Sequence, residues 1–310
     1  MRVPAAISDA VSVGGFKAAW AGVRWLPERA AYALFDRIAD VSVATGGTAR
    51  LRSNYARVRP DLDDSQLDDL VREGMRSYLR YYGEAFRLPV LTPETLGQRV
   101  RLEGDAPVRD VIDAGGSAVC FLGHLGNWDL AGAWSSVHWT TVTTVAERLK
   151  PEQIFEEFLD FREGLGMTIL PLTGGPDPFP LLREAARRPG VIPLLADRDL
   201  TRSGVEVDFC GHRARMAAGP AALALTEDRP LFPVSIRYER RGRGWGIVVR
   251  FHDEVARPPS GARPEQVETM TQACADALGE AVREHTEDWH MLQRVFVADL
   301  DPRRDRERGR

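Results

Sequence analysis

The stretch SAVCFLGHLGNWDLAGAWSSV, residues 117–137, decides the fold of this chain. Its first six residues, SAVCFL, form a short apolar run of the kind that makes a buried strand. The residues from Asn127 onward are typical of a helix, with Asn127 near its N-cap. The four residues between, GHLG, therefore form a turn at the carboxyl end of the strand. In open α/β sheets ligands bind at that edge, so the turn is the first candidate for a functional site.

The same alternation of short strands and helices continues from residue 100 onward. Apolar, β-rich runs predict strands at 117–122, 141–145, 167–172, 190–196, 205–209, 231–238 and 245–251. Helices are predicted near 127–137, 151–165, 178–188, 218–227 and 264–287. Near-continuous apolar strands separated by helices indicate an α/β fold. We expect a central, mostly parallel or mixed β-sheet covered by helices on both faces.

The sheet is preceded by a segment that is predicted to be helical. No internal repeat or flexible linker divides the chain, so we predict a single domain over residues 1–300. Within it, N-terminal helices occupy 1–95 and the α/β core occupies 100–300. The last residues, 301–310, form a charged tail that we expect to be disordered.

Composition excludes several classes of protein. The formal net charge is −4 and the pI is near 5.9, whereas a nucleic-acid partner calls for a basic surplus. Cys120, Cys210 and Cys274 lie far apart, so they indicate neither a disulfide framework nor a zinc module. The chain has no apolar run of about 18 residues and no signal-peptide pattern at its start. The sequence thus predicts a cytoplasmic protein that binds no nucleic acid.

The turn pairs a histidine with an acidic residue five positions later. On one continuous helix, His124 and Asp129 would point about 140° apart, so they meet only if the histidine sits on the bend before the helix. The flanking glycines permit such a bend. An aspartate bonded to one ring nitrogen fixes the tautomer, and the other nitrogen then accepts a proton from a hydroxyl. The pair predicts direct transfer of a group to an alcohol, with no nucleophile supplied by the protein.

The residues around this pair resemble a known family. HLGNWD, from His124 to Asp129, resembles the H-x4-D motif of glycerolipid and lysophospholipid acyltransferases, in the form found in the lipid A lauroyl acyltransferase group. Longer blocks are similar, in the same order, to the phosphatidylinositol mannoside acyltransferases of actinobacteria. These blocks lie at 143–175, 197–209, 216–225 and 288–293. The resemblance covers nearly the whole chain.

The resemblance implies an acyl-CoA-dependent O-acyltransferase. In this family a long-chain fatty acyl group passes from acyl-CoA to a sugar hydroxyl of a glycolipid. In the mannoside enzymes the acceptor is the 6-hydroxyl of a mannose on phosphatidylinositol mannoside. Carried onto this chain, His124 is the general base and Asp129 is the carboxylate that orients it. Acyl-CoA is a co-substrate, and no cofactor or metal is implied.

The matching blocks also contain charged residues that the resemblance marks for substrate binding. Glu147 and Arg148 follow a predicted strand and so share the catalytic edge of the sheet. Arg162, Arg198 and Asp199, which lie in two further blocks, are also expected to bind substrate. Each arginine is expected to make either a phosphate contact or a structural ion pair.

Asp197 marks a departure from the family pattern. The mannoside enzymes carry glutamate in this block, and its carboxylate assists the histidine. Because aspartate is one methylene shorter, the same contact would require a small backbone shift. Asp197 is therefore a third catalytic candidate beside His124 and Asp129, and Asp199 is the alternative that takes over part of its role.

An apolar stripe near the N-terminus has two interpretations, because the resemblance implies a lipid substrate. Phe16, Trp20, Val23 and Leu26 recur at helical spacing. The stripe is either part of the core or an interfacial helix whose basic neighbours meet anionic headgroups. In the second case the protein attaches peripherally to the inner leaflet, on the cytoplasmic face of the cell membrane.

Other hypotheses stay open on the sequence alone. One is an acyltransferase that uses another glycolipid or a lysophospholipid as acceptor, with acyl carrier protein as donor, as in lipid A synthesis. Another is a metal-dependent hydrolase, although no H-x-H or H-E-x-x-H pair begins such a site. Its expected ligands are His124, Asp129, Asp197 and Asp199. A serine hydrolase is disfavoured because the chain has no G-x-S-x-G elbow, and a lipid-binding protein without catalysis would not need His124.

Overall fold

The structure is a computed structural model that describes residues 22–146, 152–172, 177–199, 203–242 and 244–300. Phe16 and Trp20 of the predicted apolar stripe lie outside these residues, and so does the predicted tail at 301–310. Within the described ranges, no helix is long and apolar enough to cross a membrane.

Seven strands of the described chain form one central sheet. They are β1 (Val100–Glu103), β2 (Ser117–Leu122), β3 (Val142–Ala146), β4 (Met167–Pro171), β5 (Gly190–Leu195), β8 (Leu231–Arg241) and β9 (Gly244–Phe251). In space their order is β1-β9-β8-β2-β5-β3-β4. The strands from β8 to β4 are mutually parallel, whereas β9 is antiparallel to β8 and pairs with β1 at the edge. The other two strands, β6 (Val205–Phe209) and β7 (His212–Met216), form a separate antiparallel hairpin.

Helices pack on both faces of the sheet. They are α1 (Glu28–Ala44), α2 (Ala49–Val58), α3 (Asp64–Ala85), α4 (Pro93–Arg99), α5 (Ala106–Asp113), α6 (Trp128–His138), α7 (Glu152–Gly164), α8 (Phe179–Ala185), α9 (Gly219–Glu227) and α10 (Arg263–Glu284). Alternate residues of β2 enter two separate cores: Val119 and Phe121 pack with α2, α9 and α10. Ala118, Cys120 and Leu122 pack with α1, α4 and α6. The predicted α/β fold, with a mostly parallel sheet covered on both faces, is confirmed.

The helices and strands predicted from residue 117 onward are close to those observed. They differ in the place of one strand, in two strands that were not predicted and in the end of the last long helix. All seven predicted strands occur, but β6 lies outside the central sheet. Strands β1 and β7 escape prediction because they mix charged or polar residues with apolar ones and form no apolar run. The last long helix ends at Glu284, before the predicted end at 287, and a 3₁₀ turn follows at Thr286–Asp288.

Helix α2 holds the C-terminal segment against the carboxyl edge of the sheet. The side-chain Nδ2 of buried Asn54 donates to the carbonyl oxygens of Met291 (2.8 Å) and Gln293 (2.9 Å). The hydroxyl of Tyr55 donates to the carbonyl oxygen of Trp289 at 2.9 Å. Buried carbonyl groups need such partners, so these bonds fix the path of the segment. The residues after α10 thereby lie beside the turn that follows β2.

Candidate active site

The turn after β2 brings a histidine to the carboxyl edge of the sheet. Strand β2 is buried along its whole length, and α6 begins at Trp128 directly after the turn. Asn127 caps α6, because its Oδ1 accepts a hydrogen bond from the N–H of Leu130 at 2.9 Å. Its Nδ2 donates to the buried carboxylate of Glu84 at 2.8 Å, which ties the cap to α3. The predicted strand, turn and helix are confirmed.

Gly126 allows the chain to turn between the histidine and the helix. Its φ of 57° lies in the left-handed region that favours glycine. A Cβ atom at this position would lie 2.7 Å from the carbonyl oxygen of Ile236 in β8. The N–H of Gly126 also donates to the carbonyl oxygen of Asp288 at 2.9 Å. Both backbone conformation and lack of space therefore require glycine here.

His124 pairs with Asp197, which lies just beyond the end of β5. The ring Nδ1 of His124 is 2.6 Å from Oδ1 of Asp197, and the backbone N–H of His124 donates to Oδ2 at 2.9 Å. The indole N–H of Trp289 donates to the same Oδ2 at 2.9 Å. Because β2 and β5 are adjacent and parallel, their carboxyl ends bring the two residues to one edge.

The charge of Asp197 fixes the protonation of the histidine ring. Asp197 is fully buried. Burial alone raises the pKa of its carboxyl, but the charge of His124 and the hydrogen bonds from His124 and Trp289 lower that pKa below the usual value for aspartate. An ionised carboxylate only accepts hydrogen bonds, so Nδ1 of a neutral His124 carries the proton. Its Nε2 is then left unprotonated, as a general base requires.

Asp129 does not orient the histidine, and the expected contact between His124 and Asp129 is wrong. Asp129 is buried in the first turn of α6, where the hydroxyl of Tyr81 donates to its Oδ2 at 2.6 Å. Arg162 of α7 donates to Oδ1 at 2.7 Å and to Oδ2 at 3.1 Å. A partly buried guanidinium needs a compensating carboxylate, and Asp129 supplies it. Asp197, not Asp129, forms the hydrogen bond with the ring of His124.

Asp197 makes this contact in spite of its short side chain. Asp199, the alternative partner, donates its backbone N–H to the carbonyl oxygen of Arg215 at 2.8 Å. That bond ties the segment after β5 to β7. A catalytic role for Asp199 stays a prediction.

A cavity of about 250 Å³ lies beside His124. Arg162 and Arg198, both predicted to bind substrate, line this cavity together with His290. The rest of the wall is largely aromatic or apolar and includes Tyr78, Tyr81, Tyr82, Trp128, Ala146 and Leu195. The structure thus brings two of the predicted arginines to the histidine. We refer to this space as the His124 cavity.

Glu147 and Arg148, which are also predicted to bind substrate, lie outside the described residues. They follow Ala146 directly in the chain, and Ala146 lines the His124 cavity. Phosphate or sugar contacts by any of these side chains stay predictions. Arg162 is already ion-paired with Asp129, so the structural alternative given for the arginines fits it.

A second cavity, of about 90 Å³, lies between α6 and the sheet. Its wall is mostly apolar and includes Cys120, Leu122, Trp134, Trp139, Met167 and Phe251. Trp128, Arg162 and Leu195 border both this apolar cavity and the His124 cavity, so the two adjoin near the start of α6. An apolar wall of this kind suits hydrocarbon groups, and the space of about 90 Å³ is smaller than the roughly 300–1,000 Å³ of pockets that enclose a whole ligand.

The segment 286–290 supports the site from the opposite side. The N–H of His290 donates to the carbonyl oxygen of His124 at 2.8 Å. The hydroxyl of Ser77 donates to Oδ1 of Asp288 at 2.6 Å and lies 3.0 Å from Nε2 of His290. Burial raises the pKa of Asp288 to about 6 and lowers the pKa of His290 to about 3. A neutral His290 ring therefore forms part of the cavity wall.

The sequence patterns do not single out Ser77, Tyr81, Asp288 or Trp289 as parts of the site. These residues come from α3 and from the C-terminal segment, far from the turn along the chain. The one available signal is the block DWHMLQ at 288–293, which the resemblance marks without giving it a role.

The arrangement of side chains gives no support to the metal-dependent hydrolase. Across the described residues, no group of three or more His, Cys, Asp and Glu side chains could hold a metal ion. Asp129, one of its four expected ligands, binds Tyr81 and Arg162 instead of converging on His124.

Comparison with known proteins identifies the family. Residues 15–297 match the family described as bacterial lipid A biosynthesis acyltransferase. A phosphatidylinositol mannoside acyltransferase of Mycolicibacterium smegmatis is 43% identical over 309 residues, which covers 98% of this chain and 97% of that protein. A protein of the same name from Mycobacterium tuberculosis H37Rv is 42% identical over 292 residues, with coverages of 93% and 90%. The chain belongs to the bacterial lipid A biosynthesis acyltransferase family, and the resemblance seen in its sequence is confirmed.

We expect Gly126→Ala to lower the free energy of unfolding by more than Gly115→Ala does. Both glycines have positive φ angles, 57° and 80°, so alanine is strained at each by about 1–2 kcal/mol. A Cβ at Gly115 has no neighbour within 4 Å, whereas a Cβ at Gly126 meets a backbone oxygen at 2.7 Å. Urea unfolding should show an excess loss of about 1 kcal/mol or more for Gly126→Ala. Equal losses would contradict the close packing of this turn on β8.

Proposed function

We propose that the protein transfers a long-chain fatty acyl group from acyl-CoA to the 6-hydroxyl of a mannose on phosphatidylinositol mannoside. The observation that carries this proposal is the pair of His124 and Asp197 on the wall of a cavity that adjoins an apolar one. The glycolipid acceptor comes from the names of relatives that are 42% and 43% identical over nearly the whole chain.

His124 acts as the general base in the proposed reaction. A sugar hydroxyl is a weak nucleophile until a base takes its proton during attack on the thioester carbonyl. Nε2 of His124 accepts that proton, and ionised Asp197 stabilises the imidazolium cation that forms. The tetrahedral intermediate then expels the thiolate of coenzyme A, which takes the proton back from the ring. The products are an acyl ester and free coenzyme A.

The apolar lining of the second cavity supports a fatty acyl donor, of which this space receives a part. It lies between α6 and the sheet and meets the His124 cavity at Trp128 and Leu195. An acyl chain in this space gains about 25 cal/mol for each Å² of apolar surface removed from water. Its thioester end then remains near the start of α6, within the cavity that holds the base. Beyond acyl-CoA as co-substrate, we propose no cofactor.

Charged residues around the His124 cavity are proposed to bind the phosphate and sugar groups of the substrates. Arg198 lines the cavity, and Asp199 follows it in the chain. Glu147 and Arg148 follow a cavity residue directly and are assigned the same task by the family pattern. Arginine suits phosphate because its planar guanidinium donates two parallel hydrogen bonds.

His124→Ala should abolish acyl transfer. The purified protein is incubated with palmitoyl-CoA and phosphatidylinositol mono- or dimannoside, and mass spectrometry detects a product heavier by one acyl group. We expect the rate to fall on the order of 10³-fold, because the substituted protein has no base at this position. His212→Ala is the matched control: His212 is exposed on β7 and lines neither of the two cavities described above, so activity should be retained.

Other outcomes of this assay would correct the proposal. Consumption of palmitoyl-CoA without an acylated mannoside would keep the transferase class and point to another glycolipid or a lysophospholipid as acceptor. Activity with an acyl carrier protein thioester alone would replace the donor. A fully active His124→Ala variant would contradict the proposed base.

We propose that helix α1 contacts the membrane surface. Leu34, Ile38 and Val41 are 44%, 42% and 51% exposed, although all three are large apolar residues. They recur at steps of four and three positions and so lie on one face of the helix. Exposed Arg37 shares that part of the helix, and basic residues favour anionic headgroups. These features support peripheral attachment to the cytoplasmic face of the cell membrane, where the lipid acceptor would be reached from the inner leaflet.

Replacement of Leu34, Ile38 and Val41 by serine should weaken binding to vesicles. Sedimentation with vesicles of phosphatidylcholine and anionic phosphatidylinositol measures the bound fraction. We expect the partition coefficient to fall about tenfold or more, because three apolar side chains no longer enter the interface. Val90→Ser with Val137→Ser is the control, since these valines are 54% and 46% exposed elsewhere on the surface. Equal binding by the triple variant and the wild type would exclude α1 as the contact.

A further inference from the structure

Trp128, the first residue of α6, stands where the two cavities meet. Trp128 lines both the His124 cavity and the apolar cavity beneath α6. The centroid of the Tyr81 ring lies 4.3 Å from that of Trp128, and the His124 ring approaches edge-on with a centroid distance of 5.7 Å. Of the tryptophans in the described ranges, Trp128 alone lines both cavities.

The indole N–H of Trp128 is buried, and it has no hydrogen-bond partner within the described structure. A buried donor without an acceptor costs about 1–3 kcal/mol, and native proteins contain few such groups. On the wall of a binding cavity, an unpaired donor marks a position where a ligand atom completes the hydrogen bonding. The ligand atom must be an acceptor, because an indole nitrogen only donates.

Three backbone donors in the neighbouring turn are already occupied by protein atoms. The N–H of His124 donates to Asp197, and the N–H of Leu125 donates to the carbonyl oxygen of Gly123 at 2.8 Å. The N–H of Gly126 donates to the carbonyl oxygen of Asp288. An oxygen that develops negative charge beside His124 therefore needs a donor other than these three N–H groups.

The proposed acyl transfer, on which this inference rests, places such an oxygen at Trp128. The acyl chain extends into the apolar cavity, whereas the attacking hydroxyl must lie at His124. The thioester carbonyl between them consequently sits at the shared boundary of the cavities. Trp128 is one of the three residues that line both cavities at this boundary.

We propose that Nε1–H of Trp128 donates a hydrogen bond to the thioester carbonyl oxygen and stabilises the oxyanion of the tetrahedral intermediate. As the C–O bond to the sugar forms, the carbonyl electron pair moves onto this oxygen, and the hydroxyl proton moves to Nε2 of His124. When the C–S bond breaks, the carbonyl forms again as the ester. The proton passes from His124 to the thiolate of coenzyme A, and Trp128 keeps its own proton throughout.

Trp128→Phe removes the donor and keeps an aromatic ring. We expect kcat for palmitoyl transfer to fall on the order of 10²-fold, with the KM for palmitoyl-CoA changed by less than about threefold. Trp128→β-(3-benzothienyl)alanine replaces the indole N–H by sulfur in a ring of nearly the same shape, and it should give the same loss. Binding of S-hexadecyl-coenzyme A, a thioether without the carbonyl, should be unchanged in both variants.

Trp245→Phe serves as the matched control, because Trp245 lies in β9 and borders neither cavity. It should keep the wild-type kcat.

If both Trp128 variants also keep the wild-type kcat, the proposal is overturned, and the oxyanion is held by other donors such as backbone N–H groups at the start of α6. If they lose affinity for the thioether in step with their activity, the ring acts through packing and the proposal is equally overturned. If the Trp128 variants keep the full kcat while His124→Ala is inactive, only the role of Trp128 is rejected. The proposed acyl transfer then still holds.

Discussion

One buried carboxylate holds the active-site edge together. Asp197 accepts hydrogen bonds from the ring and the backbone of His124 and from the indole of Trp289. These three groups come from the turn after β2 and from the C-terminal segment, whereas Asp197 itself follows β5. Hydrogen bonds to an ionised group are about twice as strong as neutral ones, and removal of the carboxylate would leave buried donors unpaired. The tautomer of the histidine and the position of the C-terminal segment thus depend on the same side chain.

The aspartate of the H-x4-D spacing has a different task. Asp129 joins three helices, because it lies in α6 and binds Tyr81 of α3 and Arg162 of α7. Burial alone lowers the pKa of Arg162, but the charge of Asp129 and the hydrogen bonds to Asp129 and Tyr81 raise it above the usual value for arginine. Loss of one partner in a buried ion pair typically costs about 3–5 kcal/mol. Asp129 therefore stabilises the wall shared by the two cavities, whereas His124 is the proposed base.

The sequence predicts the local parts of this site and misses the long-range ones. The apolar run of β2, the glycines and the capping Asn127 act over a few residues, so their pattern places His124 at the sheet edge. Whether Asp129 or Asp197 pairs with the His124 ring depends on tertiary contacts, because Asp129 is paired with Arg162 on a distant helix. Trp289 likewise reaches the site only through the path of the C-terminal segment. Periodicity reports which face of an element is buried, and it carries no information on which side chains meet across elements.

The most direct test of the pairing between Asp197 and His124 is NMR of the protein labelled with ¹⁵N-histidine, which shows the ring nitrogen that carries the proton. The signals of His124 are identified by their absence in His124→Ala. At a pH where the ring is neutral, we expect the proton on Nδ1 in the wild type and in folded Asp129→Asn. In Asp197→Asn the proton should move wholly or partly to Nε2, because the ionised acceptor is lost. An Nδ1 proton that persists in Asp197→Asn and disappears in Asp129→Asn would contradict the assignment of Asp197 as the partner of His124.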